Sequence, residues 1–145
     1  MAYTYEYPRP AVTTDVVLLA KQTRQLLLIQ RGNEPYKGLW ALPGGFVDMD
    51  EELSDAALRE LKEETGIDTI AIEQFKTYGG INRDPRHRTI SVVYTAVTEH
   101  PLLAQGMDDA ADARWFDVDK LPHLAFDHQL IIDEALHFLA NNGGL

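Results

Sequence analysis

The feature that most constrains this chain is a group of glutamates that follows a glycine turn. Glu60, Glu63 and Glu64 are spaced i, i+3 and i+4, which places their side chains on one face of a helix. Like charges at this spacing repel each other, so the arrangement favours a cation between them. Mg²⁺ takes oxygen ligands and commonly shares its shell with substrate phosphates. The spacing predicts a metal platform for phosphate chemistry; the alternative is a solvated acidic surface.

The flanking residues predict where this helix begins and ends. Proline and paired glycines at residues 43–45 interrupt any earlier start, and acidic residues crowd the helix entry, where the dipole favours negative charge. Gly66 follows the last charged turn, where a left-handed cap favours glycine. We expect Arg59 to pair with Glu51 across the loop-to-helix entry, so that removing Arg59 would misplace carboxylates. An apolar stripe at helical spacing faces the core: Leu53, Ala56, Ala57, Leu58 and Leu61.

Length and charge bound the class of protein. At 145 residues the chain has the size of one domain, which we place at residues 1–145. It contains no cysteine, which excludes a disulfide scaffold and a thiolate zinc site. No apolar run approaches the roughly 20 residues that span a bilayer, and no signal peptide is evident. We therefore expect a cytoplasmic protein with no membrane partner.

The net charge of −10 also bears on the partners. Such a surface repels the phosphate backbone of nucleic acids, so we expect no nucleic-acid partner. It would repel a small diphosphate as well. An acidic protein that handles phosphates needs a metal to reverse the local sign, in agreement with the glutamate helix.

Apolar runs predict strands on both sides of this helix. Strands are predicted at residues 12–20 and 26–30, as a hairpin, with further extended segments at 39–42, 69–78, 88–98 and 113–118. A second helix is predicted from Asp127 as its N-cap. The strand at residues 88–98 is apolar or small on both faces, which requires cover on both sides. The fold class is therefore α/β, with a mixed β-sheet between helices.

Residues 45–67 resemble, position for position, the signature of the Nudix hydrolases: Gly45, Glu51, Arg59-Glu60, Glu63-Glu64 and Gly66 before an aliphatic residue. Other segments resemble the ADP-ribose pyrophosphatase-like branch, which includes the Nudix portion of some regulators of NAD metabolism: residues 9–13, 38–45, 83–86, 113–116 and 125–128. The resemblance implies a Nudix-type α/β/α sandwich. It also implies Mg²⁺-dependent hydrolysis, with Mn²⁺ as an alternative, of a nucleoside diphosphate linked to another moiety. ADP-ribose would give AMP and ribose 5-phosphate.

The resemblance assigns roles to the acidic helix. It implies that Glu60, Glu63 and Glu64 bind the metal, with the backbone carbonyl of Gly45 as a further ligand. Glu60 or Glu63 would instead position or deprotonate the attacking water. Physically, the metal would neutralise charge on the phosphoryl oxygens and generate a nucleophile from bound water.

Supporting residues are implied as well. Arg59 and Glu51 would not bind the metal themselves but would orient the carboxylates that do. Many family members add an acidic residue from a later loop, and Asp108 and Asp109 are both candidates that no motif separates.

Substrate recognition is predicted outside the signature. Arg83 and Arg86 bracket a tight turn, where their donors could grip a phosphate or a terminal ribose; a solvated turn is the alternative. Tyr36, Phe46 and Tyr78 could stack a purine, and packing in the core is the alternative for each.

Two other functions compete with ADP-ribose hydrolysis. One is the pyrophosphohydrolysis of an oxidised or non-standard nucleoside triphosphate. The other is a non-catalytic nucleotide-sensing module, as in regulators that carry a DNA-binding domain after the Nudix part. Here the chain ends at Leu145 and every acidic position of the signature is present, which argues for an enzyme. Relatives commonly dimerise through N-terminal segments, and the tyrosine-rich start suits a homodimer.

Overall fold

The strands and helices follow the predicted order along the chain, with one addition: a short strand, Gly44–Phe46, lies where the sequence predicted a glycine turn. The computed structural model describes residues 2–106 and 110–142. The elements are β1 (Ala11–Ala20), β2 (Gln25–Arg31), β3 (Trp40–Ala41), β4 (Gly44–Phe46), α1 (Leu53–Thr65), β5 (Glu73–Tyr78), β6 (Thr89–Thr98), β7 (Ala110–Asp117) and α2 (His128–Asn141). The predicted hairpin is the antiparallel pair of β1 and β2. No helix in the described ranges is long and apolar enough to cross a membrane.

One mixed sheet is built around β1. Its path runs β3-β2-β1-β6-β5, with β4 also pairing with β1 and β7 with β2. β1 and β6 are parallel along their whole length, from Ala11 opposite Thr89 to Ala20 opposite Thr98. A parallel pair needs a long crossover connection, and α1 lies in the chain between these two strands. The mixed sheet that the sequence predicts is confirmed.

The two helices cover opposite faces of the sheet. Side chains alternate along β1, so its even-numbered residues pack with α1 and its odd-numbered residues with α2. The α1 face is a core that includes Val16, Leu18, Ala57 and Leu61. The α2 face is a core that includes Val17, Leu19, Ile131 and Ile132. The α/β/α sandwich is therefore confirmed, and it holds α1 above the end of β1 where the polar residues lie.

The helix ends show one confirmed prediction and one revision. Gly66 has a left-handed φ of 80° and its N–H donates to the Lys62 carbonyl, as expected for a helix-ending glycine. Asp127 stands at the N-cap of α2, but its side chain makes no capping hydrogen bond. The reason is competition: both carboxylate oxygens accept from Arg83 at 2.7 and 2.9 Å.

The predicted strand at residues 69–78 is too long. β5 begins at Glu73, four residues later. Thr69 has a left-handed φ of 56°, which no strand accommodates. The branched residues at 70 and 72 suggested strand, but they instead pack as partly buried side chains against the α1-side core.

Candidate active site

A cleft of about 400 Å³ opens at the polar end of β1. Five parts of the fold contribute to it: β1, β2, β4 with α1, the loop before β6 with the start of β6, and the residues around the start of α2. Lining side chains include Asp15, Arg31, Glu60, Glu64, Arg83 and Phe126. The predicted glutamate helix and the predicted arginine turn therefore meet in one cavity.

Arg59 organises the acidic face of α1. Its guanidinium donates to both oxygens of Glu51 at 2.7 and 3.0 Å, to Glu60 at 2.9 Å and to Glu63 at 3.1 Å. The expected pairing of Arg59 with Glu51 is thus present. The hydrogen bonds from Arg59 lower the pKa of Glu51 to about 2. One cation holds three carboxylates that would otherwise repel each other.

Glu64 behaves differently because it is buried. The Gly44 N–H donates to its Oε1 at 2.7 Å. Burial, together with smaller contributions from the nearby Glu60 and Asp15 carboxylates, raises the pKa of Glu64 to about 8. A carboxyl group in such surroundings keeps its proton near neutral pH unless a cation joins it.

Gly45 lies directly against Glu60. A methyl group added at Gly45 would stand 2.5 Å from the carboxyl carbon of Glu60, so the Glu60 carboxylate, at the end of a flexible side chain, would have to move. Glycine at this position leaves the carboxylate where it is, directly against the backbone.

The donor chemistry of this face fits a hard divalent cation. Glu60, Glu64 and Gly45 all line the cleft, and oxygen atoms are the ligands that Mg²⁺ prefers. Within residues 2–106 and 110–142, no three acidic or histidine groups already converge on one point. Arg59 and the Gly44 amide hold these side chains instead, so a metal would have to draw them together. Glu63 is not among the cleft-lining residues, and its side chain is 42% exposed.

The floor of the cleft is a buried polar network. Arg83 binds Asp127 through two nitrogens and donates to the Ser91 hydroxyl at 2.7 Å, and its side chain is only 6% exposed. Asp15 lies beside this network. Burial raises the pKa of Asp15 to about 7, although the Arg83 charge opposes the shift. Arg83 already pairs with Asp127, so it compensates Asp15 only in part.

His128 fixes the wall opposite α1. Its Nδ1 accepts the Leu42 N–H at 3.0 Å, which requires an unprotonated nitrogen there. Burial lowers the pKa of His128 to about 4. The neutral imidazole therefore ties the start of α2 to the segment before β4, a structural role that agrees with its position in the sequence.

The arginines of the cleft differ in their availability. Arg83 is held by Asp127, and Arg86 is held by Asp84 at 2.7 and 3.1 Å. Arg31 donates its Nε to the Pro35 carbonyl at 2.7 Å but forms no ion pair within the described ranges. Burial lowers its pKa, and the neighbouring Arg86 lowers it further. Arg31 is thus a cleft cation with no direct ion pair in the described ranges, although the Glu64, Asp84 and Glu34 carboxylates act on its charge from farther away.

The two predicted tyrosines do not line the cleft. Tyr78 is buried under α2, and its hydroxyl donates to Glu134 at 2.6 Å. Its position in β5 turns its side chain toward the α2 face, so it does not stack a purine in this cleft. Tyr36 is not among the residues that line the cleft, but its ring centroid lies 4.9 Å from that of Phe126, which does line it. Asp108 and Asp109 lie outside the described residues.

Four cleft residues were missed by reasoning from the sequence or given only a structural role. Asp15 could have been found, because a lone acid inside the apolar strand at residues 11–20 needs a partner or a function. Arg31 is the last residue of β2, and no motif or spacing in the neighbouring sequence marks it as a functional residue. Phe126 and His128 lie in a segment noted only for its family resemblance and for the helix start.

Comparisons with known proteins agree with this geometry. The NUDIX domain family matches residues 9–137. The chain is 41% identical over 132 residues to the ADP-ribose pyrophosphatase of Methanocaldococcus jannaschii, covering 91% of this chain and 76% of that protein. It is 38% identical to the ADPR responsive transcriptional repressor NtrR of Acinetobacter baylyi, covering 94% of this chain but only 57% of the repressor.

A solved structure of a NUDIX domain has the same fold as this chain. The NUDIX domain of Shewanella oneidensis NrtR, crystallised with ADP ribose, superposes with a TM-score of 0.85 at 36% identity, over 92% of this chain and 90% of that one. The residues that the family matches, 9–137, include the whole glutamate helix, the glycine turn before it and the residues that line the cleft. The chain belongs to the NUDIX domain family and is a Nudix hydrolase.

Proposed function

We propose that this protein hydrolyses ADP-ribose to AMP and ribose 5-phosphate with the help of Mg²⁺ or Mn²⁺. The observation that carries the proposal is the meeting of the α1 carboxylates with Arg31, a cleft arginine that forms no ion pair within the described ranges. A diphosphate requires both: cations along its oxygens and a metal platform at the scissile bond. Similarity to an ADP-ribose pyrophosphatase and to a domain crystallised with ADP ribose supports the choice of substrate.

Each group on α1 then has a defined task. Glu60, Glu63, Glu64 and the Gly45 carbonyl would hold the metal. The metal supplies charge neutralisation on the phosphoryl oxygens and a water of lowered pKa. Glu60 or Glu63 positions that water or removes its proton.

Four arginines complete the arrangement. Arg59, with Glu51 behind it, keeps the α1 carboxylates in position. Arg31 balances charge on the diphosphate, and Arg83 and Arg86 keep the floor and rim of the cleft in shape through Asp127 and Asp84.

The test is an assay of AMP release from ADP-ribose with Mg²⁺, with Mn²⁺ and with EDTA. We expect turnover with either metal, none with EDTA, and a fall of at least 100-fold in kcat for Glu63→Gln. Glu52→Gln is the matched control, because Glu52 is exposed at the start of α1 and makes no capping bond; it should retain the parent rate. A Glu63→Gln enzyme as fast as the parent would refute the assignment of Glu63.

Two competing functions are separated by the same assay. An oxidised guanine nucleoside triphosphate that is hydrolysed faster than ADP-ribose would make the protein a triphosphate pyrophosphohydrolase. The similarity to a transcriptional repressor raises the second alternative, a sensor. ADP-ribose that binds in the presence of Mg²⁺ without being cleaved would show a sensing module.

A further inference from the structure

The backbone of Phe126 has an unusual conformation for an aromatic residue. Its φ is 52°, in the left-handed region that bulky side chains rarely adopt. Residues on both sides are fixed: the Ala125 N–H donates to the Trp40 carbonyl at 2.8 Å, and the His128 ring accepts from Leu42. Strained backbone that is held by its surroundings clusters at ligand-binding sites. Here the result of the strain is that the ring lines the cleft.

The ring is partly buried against a small apolar cluster that includes Ile29 and Ala125, and it also has aromatic and charged neighbours. Tyr36 meets it at 66°, with ring centroids 4.9 Å apart, and the His128 ring lies 5.5 Å away. Two guanidinium groups also stand over it, with the carbons of Arg31 and Arg86 at 5.0 and 5.6 Å from its centroid. The ring is thus braced by two aromatic residues, with planar cations over it.

This combination suits a flat, electron-rich ligand group. A nucleobase stacks on an aromatic face and on a guanidinium plane with little dependence on its hydrogen-bonding edge. A ribose has no flat face and gains nothing from such a wall. The Arg31 guanidinium, which stands over the ring, can also contact the phosphate attached to the nucleoside.

We propose that the base of the substrate stacks on Phe126 and displaces the guanidinium groups that stand over the ring. The nucleoside half then occupies this end of the cleft, and the terminal sugar lies away from it. This inference rests on the proposed function for the identity of the substrate. Phe46 is the other ring of the cleft, but it directly follows Gly45 and its carbonyl accepts from Arg59 at 3.1 Å. That position lies beside the carboxylates, where the diphosphate itself has to be.

The experiment measures the binding of the two product halves to the full chain with Mg²⁺ by calorimetry. In Phe126→Leu, we expect the Kd for AMP to rise at least 10-fold and the Kd for ribose 5-phosphate to stay within 2-fold. Phe126→Tyr keeps a ring and should keep the AMP affinity within about 3-fold of the parent. Phe75→Leu is the matched control, because Phe75 meets Phe138 at the same 4.9 Å outside the cleft; it should not change either Kd.

A measurement on the unaltered protein covers the case in which Phe126→Leu does not fold. With AMP bound, NMR should show contacts between the adenine protons and the Phe126 ring protons. The absence of these contacts, or an equal loss of affinity for both halves in Phe126→Leu, would overturn the proposal. Neither readout needs turnover: a protein that binds AMP in this way but leaves ADP-ribose intact would refute the proposed function alone.

Discussion

The cleft contains two clusters in which several carboxylates share one arginine, and the clusters behave in opposite ways. On α1, Arg59 serves Glu51, Glu60 and Glu63 at an accessible rim, and the pKa of Glu51 falls to about 2. On the floor, Arg83 serves Asp127 with Asp15 close by, and the pKa of Asp15 rises to about 7. The difference is burial: Arg59 is 28% exposed and Arg83 only 6%.

The comparison separates an adjustable part of the site from a fixed part. Water screens the rim cluster, so its carboxylates can leave Arg59 for another cation at small cost. The floor cluster has no such freedom, because a buried charge that loses its partner is strongly unfavourable. The rim is where a metal can enter, and the floor is where the cleft keeps its shape.

The largest effect that tests the comparison is the pH dependence of stability due to Asp15. Its pKa is raised from 3.8 to about 7 in the folded protein. Its stabilising contribution is therefore complete below pH 4 and is lost as the pH rises through 7. Between pH 4 and pH 8, the free energy of unfolding of the parent should fall relative to that of Asp15→Asn by about 4 kcal/mol.

Urea unfolding at several pH values, with EDTA present, measures this difference. A gap between Asp15→Asn and the parent that is constant from pH 4 to pH 8 would contradict the assigned shift, and the floor would then be wetter than the structure shows.

The next effect is the loss of the floor ion pair. Asp127→Asn removes the charge that Arg83 binds through two nitrogens and should lower the free energy of unfolding by about 3 kcal/mol. Asp112→Asn is the matched control. It breaks another arginine–aspartate pair at 2.7 Å, with the arginine 65% exposed, and should change stability by less than about 1 kcal/mol. Equal losses in the two variants would remove burial as the distinction between the clusters.

The smallest effect tests where the cleft ends. Tyr78 donates to Glu134 on the α2 face and does not line the cleft. We expect Tyr78→Phe to lower Tm by about 2 °C and to leave the KM for ADP-ribose unchanged, as thermal unfolding and steady-state kinetics would show. A clear rise in KM would contradict this placement and show that Tyr78 contributes to substrate binding.

Sequence reasoning was most successful where a periodic pattern coincided with burial. The glutamate helix was predictable because its glycine turn, apolar stripe and capping glycine all mark the same limits. The hairpin and the strands around it followed from branched apolar runs. The start of β5 was missed because the apolar residues at 70 and 72 belong to a loop and pack against the core from there. A short apolar pattern does not distinguish such a loop from a strand.

The residues of the cleft were harder to predict because tertiary contacts assemble them. Asp15 and Arg83 are far apart in sequence and meet only through the pairing of β1 with β6. Tyr78 was misplaced because the face that a strand residue occupies depends on its register. The ring of Phe126 reaches the cleft through one backbone angle, which no residue pattern encodes.

The parallel ladder between β1 and β6 has a consequence for the order in which the protein is made. Thr13 and Ser91 are hydrogen-bonded side chains separated by 78 positions, so the floor of the cleft is a long-range contact. A chain emerging from the ribosome can form the first hairpin and α1 early, but the site cannot close until β6 arrives. Until then the glutamates would be on a helix with no floor facing them, so catalytic competence should be among the last properties that the folding chain acquires.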